Sequence, residues 1–238
     1  MNFYDQHIQQ TDAIDYRFDA IEFDLSYWQE QADTKILDGG RGGSFLIYLQ
    51  EQPFVLHQYL RGGLLARVLY DQYIWTGLSQ TRPYQEMQVV NHALDSGLPV
   101  PQLVAFQVKK SGFFYRAVSI SRYIHNRGSL AALIAEEPLS LEQWFQLGVA
   151  IKKMHACYID HADLNANNIL LRDVTDFYLI DFDKATLKVS GDDWKLSNLN
   201  RLKRSLMKIQ SLLQQQGKTF YFSDIDWSSF NKGYQAKP

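Results

Sequence analysis

Two short polar loops separated by two apolar runs constrain this 238-residue chain more than any other feature. Residues 161–171 read HADLNANNILL, and residues 179–185 read LIDFDKA. The run of Asp and Asn is a loop, because such side chains compete with the backbone hydrogen bonds of a helix. NILL and FYLI are each long enough only for a short strand, and the polar residues between them allow a tight return. Such a hairpin brings Asn168, at the head of the first strand, next to Asp181, just past the second. Asp163 precedes Asn168 by five residues. Asp and Asn also favour ordinary turns and caps, but three such groups at these separations form a single constellation.

The order of an Asp in a loop, an Asn five residues on and an Asp closing the next strand resembles the catalytic and metal loops of kinases. The chemistry explains the residue types. Phosphoryl transfer needs a carboxylate to orient and deprotonate the attacking hydroxyl, which is the role expected of Asp163. It also needs oxygen ligands for Mg²⁺, a hard ion that binds a few protein oxygens together with phosphates. Asn168 and Asp181 suit that role, and His161 reads as a scaffold residue that hydrogen-bonds the loop.

A second element, GGRGGS at residues 39–44, lies between two strand-like runs. Glycines let a hairpin turn its N–H groups toward phosphates, and Arg41 adds charge. Gly40, Arg41, Gly42 and Gly43 are therefore expected on the nucleotide. No G-K-[ST] follows, so this is not a P-loop. A kinase normally carries a lysine on its third strand, paired to a glutamate on the next helix, yet no lysine occurs between Lys35 and Lys109. Alternation along FVLHQYLR puts Val55, His57, Tyr59 and Arg61 on one face. His57 takes the usual lysine position, Arg61 is a second candidate for the phosphate-side cation, and Glu86 is the natural helix partner. Lys152 and Lys153 read as surface residues.

Strands dominate the first half and helices the second, which points to an α+β chain in two lobes joined near residues 122–127. Residues 1–123 make a β-rich N-lobe and 124–238 a mainly helical C-lobe, together one kinase-like domain. Residues 83–93 read as helix, stopped by GLPVP. Strands are expected near 36–50, on either side of the glycine turn, and near 54–60, 102–108 and 113–123, a short helix over 61–69, and helices over 141–157, capped by Ser140, and 195–214. Residues 1–34 carry eight acidic residues and a single Arg17, but their aromatic and aliphatic side chains mark a segment that packs rather than a disordered tail.

The net charge of −2 argues against a globally basic nucleic-acid binder. A lone cysteine, Cys157, excludes intramolecular disulfides and Cys-based zinc sites. No run approaches the ~20 apolar residues of a membrane span, and MNFYDQHIQQ has no signal-peptide pattern.

From about residue 40 to 208 the chain resembles the 3-deoxy-D-manno-octulosonic acid (Kdo) kinases, small relatives of the protein-kinase-like two-lobed fold. The resemblance rests on GRG, YLRGGL, TRPYQE, GLPVPQ, HADLNANNILL, LIDFDKA and WKLSNLNRLKRSL. Asp183 stands where kinases have the glycine of D-F-G, and family members tend to carry Arg at the position of His57. The resemblance puts the catalytic Asp at Asp163. It implies transfer of the γ-phosphate of ATP to the 4-hydroxyl of Kdo on a lipid A precursor, at the cytoplasmic face of the bacterial inner membrane, with Mg²⁺ and no obligate protein partner.

Two features of the residues point away from a protein acceptor. Only 57 residues follow Asp181, with no A-P-E triplet among them. The helix over 195–214 has an apolar stripe at Leu196, Leu199, Leu202, Leu206 and Ile209, with Arg201, Arg204 and Lys208 opposite. That basic face could meet anionic headgroups and give transient membrane contact, or could be merely solvated. Trp194 and Trp227 read as core residues. The alternatives are another lipopolysaccharide-core or small-molecule sugar kinase of this fold, and a non-catalytic pseudokinase scaffold.

Overall fold

A computed structural model describes residues 5–37, 43–61 and 70–236. The chain divides into two compact units, one of Met1–Gln88 with Pro101–Tyr123, the other of Val89–Val100 with Ile124–Pro238.

The first unit is built on an antiparallel sheet of seven strands among the described residues: β1 (Asp5–Gln10), β2 (Lys35–Ile36), β3 (Ser44–Leu49), β4 (Gln52–Gln58), β5 (Tyr73–Ile74), β6 (Leu103–Ser111) and β7 (Phe114–Arg122). Their order is β1-β6-β7-β4-β3-β2, with β5 added to β7. Gln50 and Glu51 close the β3–β4 hairpin with φ of 48° and 65°, so both central residues of this two-residue turn are left-handed, as the twist of a tight hairpin requires. Alternation directs Phe45, Ile47 and Leu49 of β3 and Phe54 and Leu56 of β4 into one core.

The acidic N-terminal segment completes that core. Phe18, Phe23 and Trp28 are buried in it, and Trp28, on the short helix α1 (Leu25–Gln29), donates its indole N–H to the Glu22 carbonyl at 2.8 Å. Glu22 in turn accepts from the Tyr16 hydroxyl and the Asp19 backbone N–H. Burial, reinforced by the Glu22 carboxylate, pushes the Tyr16 phenol up to about 12.

Helix α2 (Arg82–Asp95) begins in the first unit and ends in the second. It ends where Gly97 turns left-handed at φ 67° and Leu98 N–H returns to the Ala93 carbonyl, a glycine-terminated helix end. The sequence groups residues 1–123 together, whereas residues 89–100 cluster with the second unit. Their ties explain it: Leu179 N–H donates to the Pro99 carbonyl, and Lys153 donates to Gly97. Lys153 is thus anchored, as is Lys152, whose ammonium reaches the Ala236 carbonyl.

The second unit also carries α3 (Leu130–Glu136), α4 (Leu141–Ala156), α5 (Asp193–Gln215) and α6 (Asp224–Gln235), with short strands β8 (Gly128–Ser129), β9 (Ile159–Asp160), β10 (Ile169–Leu171), β11 (Phe177–Leu179) and β12 (Thr186–Leu187). The strands form a β11-β10-β8 sheet and a β12-β9 pair. Ser140 and Gln143 make a reciprocal capping box at the start of α4. The α4 stripe of Trp144, Leu147, Ile151 and Met154 is fully buried. Glycines let α4 and α6 approach closely: a Cβ on Gly148 would lie 2.1 Å from the Phe230 carbonyl oxygen, and one on Gly233 1.9 Å from that of Phe145. The expected helix over 61–69 lies mostly outside the described residues.

Candidate active site

The two polar loops are adjacent because one hairpin joins them. Strands β10 and β11 pair Ile169 with Leu179, and Ile180 N–H donates to the Asn168 carbonyl at 3.0 Å, so residues 168 and 181 sit at the same end. Asn168 Nδ2 then lies 3.3 Å from Asp181 Oδ2 and also donates to the Asp163 carbonyl at 3.0 Å. Asn165 Nδ2 grips the same carbonyl at 2.8 Å, and its side-chain oxygen accepts from Asn167 N–H. Two amides thus fix the backbone of Asp163, whose carboxylate is left one-third exposed, 3.2 Å from the Lys184 ammonium. Asp181 adopts a left-handed φ of 64°, which costs free energy for any residue with a Cβ, though Asp tolerates it better than most. Such strain persists where surrounding structure over-determines it.

His161 is completely buried and its Nε2 lies 2.9 Å from the Ile180 carbonyl oxygen, which places the ring proton on Nε2. The ring packs on Phe182 at 4.8 Å. Burial drives its pKa down, so His161 is a neutral strut between the two loops and not an acid or base.

Helix α5 holds the loop that carries Asp163 from behind. Asn198 is 2% exposed. Its Oδ1 accepts from His161 N–H at 3.0 Å and its Nδ2 donates to Asp160 Oδ1 at 2.8 Å. Asp160 also pairs with Lys188 at 3.0 Å. His155 Nε2 lies 3.3 Å from the same Asn198 oxygen, and its Nδ1 bonds the Tyr234 hydroxyl. Desolvation lowers the His155 pKa to about 4. Seven residues along α5, Ser205 Oγ accepts from Ala166 N–H at 2.8 Å. The inward face is therefore Asn198, Leu202, Ser205 and Leu206, whereas Leu196 is 60% exposed. The expected all-apolar stripe is rotated and partly polar, because buried backbone groups of the loop need partners. On the basic side Lys203 lies over the Trp227 ring, and Lys195 pairs with Asp192.

Asn198 and Ser205, which hold the loop through hydrogen bonds, are not among the residues expected at the site. Each is a polar residue within a helix at the spacing of its apolar face, and that is the signal that could have found them.

The remaining expected site residues lie in the first unit, except that Gly40, Arg41 and Gly42 fall outside the described residues. Gly43 accepts from Gln58 N–H at 2.7 Å, and a Cβ there would lie 3.0 Å from the Gln58 carbonyl oxygen. His57 Nδ1 shares a hydrogen bond with Ser44 Oγ across the β3–β4 ladder at 3.0 Å. The Tyr59 hydroxyl donates to the Glu86 carboxylate at 2.5 Å, so strand and helix are tied by a tyrosine and a glutamate. Arg61 donates to the Gln72 carbonyl and rests over the Tyr73 ring at 4.7 Å, where Arg82 also stacks at 4.6 Å. Arg82 is a cation the sequence reading passed over, although it lies one helical turn before Glu86.

The donor set at Asn168 and Asp181 suits a hard divalent ion. It offers one carboxylate and an amide oxygen that accepts no hydrogen bond among the described residues. Also among the described residues, no group of three or more His, Cys, Asp or Glu side chains is placed to hold a metal. Two protein oxygens completed by phosphates and water is the usual arrangement for Mg²⁺.

Residues 26–234 match the family described as lipopolysaccharide kinase (Kdo/WaaP) family. The chain is 39% identical over 182 residues to the 3-deoxy-D-manno-octulosonic acid kinase of Vibrio cholerae, covering 76% of this chain and 77% of that protein. It is 37% identical over 222 residues to the protein of the same name from Mannheimia succiniciproducens, covering 90% and 89%. With that of Haemophilus influenzae it shares 35% identity over 222 residues, 89% of each.

Proposed function

The chain belongs to the lipopolysaccharide kinase (Kdo/WaaP) family, and from that membership we propose how it works as a 3-deoxy-D-manno-octulosonic acid kinase. It is a phosphotransferase acting on a hydroxyl group of Kdo in lipopolysaccharide core biosynthesis. The donor is ATP, and the acceptor is the 4-hydroxyl of Kdo on a lipid A precursor. The two units act as the β-rich and helical lobes of a kinase-like fold.

The observation that carries this reading is the clasp of Asn168 on both the Asp163 carbonyl and the Asp181 carboxylate. It holds a candidate base and a candidate metal ligand in one rigid group. Asp163, partly exposed on a fixed backbone, accepts the proton of the acceptor hydroxyl as that oxygen bonds to the γ-phosphorus. The bond from the γ-phosphorus to the β–γ bridging oxygen breaks, and the electron pair leaves with ADP. Asn168 and Asp181 would hold Mg²⁺, which would neutralise phosphate charge. With little covalent work for the protein, catalysis is mostly positioning and electrostatics. Arg61, Arg82, His57 and the glycine-rich sequence over residues 40–43 are assigned to the nucleotide.

The enzyme works as a peripheral protein at the cytoplasmic face of the inner membrane, drawn there by its lipid substrate, without nucleic acid or obligate partner. Among the described residues no helix is long and apolar enough to cross a membrane. Lys208 and Arg204, exposed on α5, are the groups for anionic headgroups.

The test uses radiolabelled ATP with lipid A precursors bearing or lacking Kdo. Label on the Kdo-bearing precursor alone supports the reading, and label confined to heptose, or equal label on both precursors, overturns it.

A further inference from the structure

We propose that Lys184 is a catalytic residue whose ammonium binds the transferred phosphoryl group while remaining hydrogen-bonded to Asp163. The proposal rests on the kinase reading above and deepens it.

Phosphoryl transfer spreads negative charge over the three equatorial oxygens, so the site needs cations where that charge develops. The loop from Asp163 to Asn168, DLNANN, contains neither lysine nor arginine. The nearest described cation is donated by the other loop: Lys184 Nζ lies 3.2 Å from Asp163 Oδ2. An ammonium carries three donors and no acceptor. One can stay on Asp163 while the other two face an oxyanion beside it, and the Asp163 carboxylate is where the attacking hydroxyl must sit.

The backbone around Lys184 is built to present it. Phe182, two residues earlier, is 1% exposed and packs on His161. Ala185, one residue later, is buried and closes a turn with its N–H on the Phe182 carbonyl at 2.9 Å. The chain then pairs at once with β9, Thr186 opposite Asp160. Buried Phe182 and Ala185 anchor the turn on either side, and Lys184 projects between them with its side chain half exposed. An ion pair so open to water adds little to stability, so packing energy does not account for a turn pinned at both ends around it. Preorganisation of a charge beside the reacting oxygen does.

In the step, the acceptor O–H bond breaks to Asp163, the new O–P bond forms, and the bond to ADP breaks. Lys184 neither gains nor loses a proton and contributes only its charge and donors.

The experiment measures kcat and KM for the Kdo-bearing precursor and ATP in wild type, Lys184→Ala, Lys184→Arg, Asp163→Ala and the Lys184→Ala/Asp163→Ala double variant, each checked for a wild-type melting transition. Lys184→Ala is expected to lose about 10²–10³ in kcat, the usual loss on removing one oxyanion donor, with KM for ATP changed less than about threefold. Lys184→Arg should recover part of that loss. The double variant should be at least about tenfold slower than Asp163→Ala, because charge on the phosphoryl group acts independently of the base. A Lys184→Ala kcat near wild type while Asp163→Ala is inactive overturns the proposal and leaves the kinase reading intact. A double variant no slower than Asp163→Ala reduces Lys184 to a prop for the base and also overturns it. Undiminished activity of Asp163→Ala would instead overturn the kinase reading.

Discussion

Replacing Asn198 with alanine tests whether α5 positions the catalytic loop. The substitution orphans His161 N–H, a backbone donor inside the protein, and an unsatisfied buried group costs about 1–3 kcal/mol. It also removes the donor on Asp160, and hydrogen bonds to charged groups contribute about 1.5–3 kcal/mol. Asp160 keeps Lys188, which offsets part of the second loss. A net destabilisation of about 3–4 kcal/mol follows, and at roughly 2–4 °C per kcal/mol for a chain of this size Tm falls by about 6–16 °C. Activity is read at a temperature where the variant remains folded. There kcat should fall about 10–100-fold with KM for ATP little changed, since the loop that carries Asp163 loses its rear support. Asn198→Asp is the sharper companion: it keeps an acceptor for His161 N–H but sets a second carboxylate against Asp160. A variant Asn198→Ala with Tm within about 2 °C of wild type and full kcat would refute the reasoning.

Three further outcomes follow from the geometry. His155 has its pKa lowered by burial from 6.5 to about 4, so between those values the unfolded chain binds the extra proton and stability falls as pH drops. The loss reaches about 3 kcal/mol near pH 4, and urea melts should show a shallower pH dependence in His155→Gln; equal slopes would contradict it. Gly148→Ala drives a methyl into the Phe230 carbonyl and should cost more than about 3 kcal/mol, since the clash is with backbone and cannot be relieved by a rotamer; a Tm near wild type would show that α4 and α6 are not so close. Tyr59→Phe removes the donor to Glu86, with a loss of about 1–2 kcal/mol by thermal melt, and an unchanged Tm would mean that Glu86 is held by other groups.

The juxtaposition of Asp163, Asn168 and Asp181 was legible in the sequence because its determinants are local. Asp163, Asn168 and Asp181 lie within nineteen residues, on a hairpin whose short strands read directly from NILL and FYLI. The α4 stripe was legible because Trp144, Leu147, Ile151 and Met154 repeat at helical spacing, even though Gln143 and His155 are buried beside them. The α5 face was not, since Asn198 and Ser205 are there for loop backbone groups brought close only by folding, and polarity at those positions imitates a solvated face. Strands β8, β9 and β12 are two residues long, below what any period can reveal. Helix α6 has a capping signature in Ser223 and Asp226, but its Gly233 and scattered polar residues hide a face that packs through close backbone approach. That residues 89–100 belong with the second unit is invisible in a linear reading, because Pro99 and Gly97 find their partners at Leu179 and Lys153.

The most direct test of the central claim compares wild type with Asp163→Asn, which keeps the side-chain volume and removes the base, for phosphate transfer from ATP to the Kdo-bearing precursor at saturating substrates. The account predicts a fall of about 10²–10⁴ in kcat with Tm preserved. A rate within tenfold of wild type would contradict it and place the chemistry elsewhere.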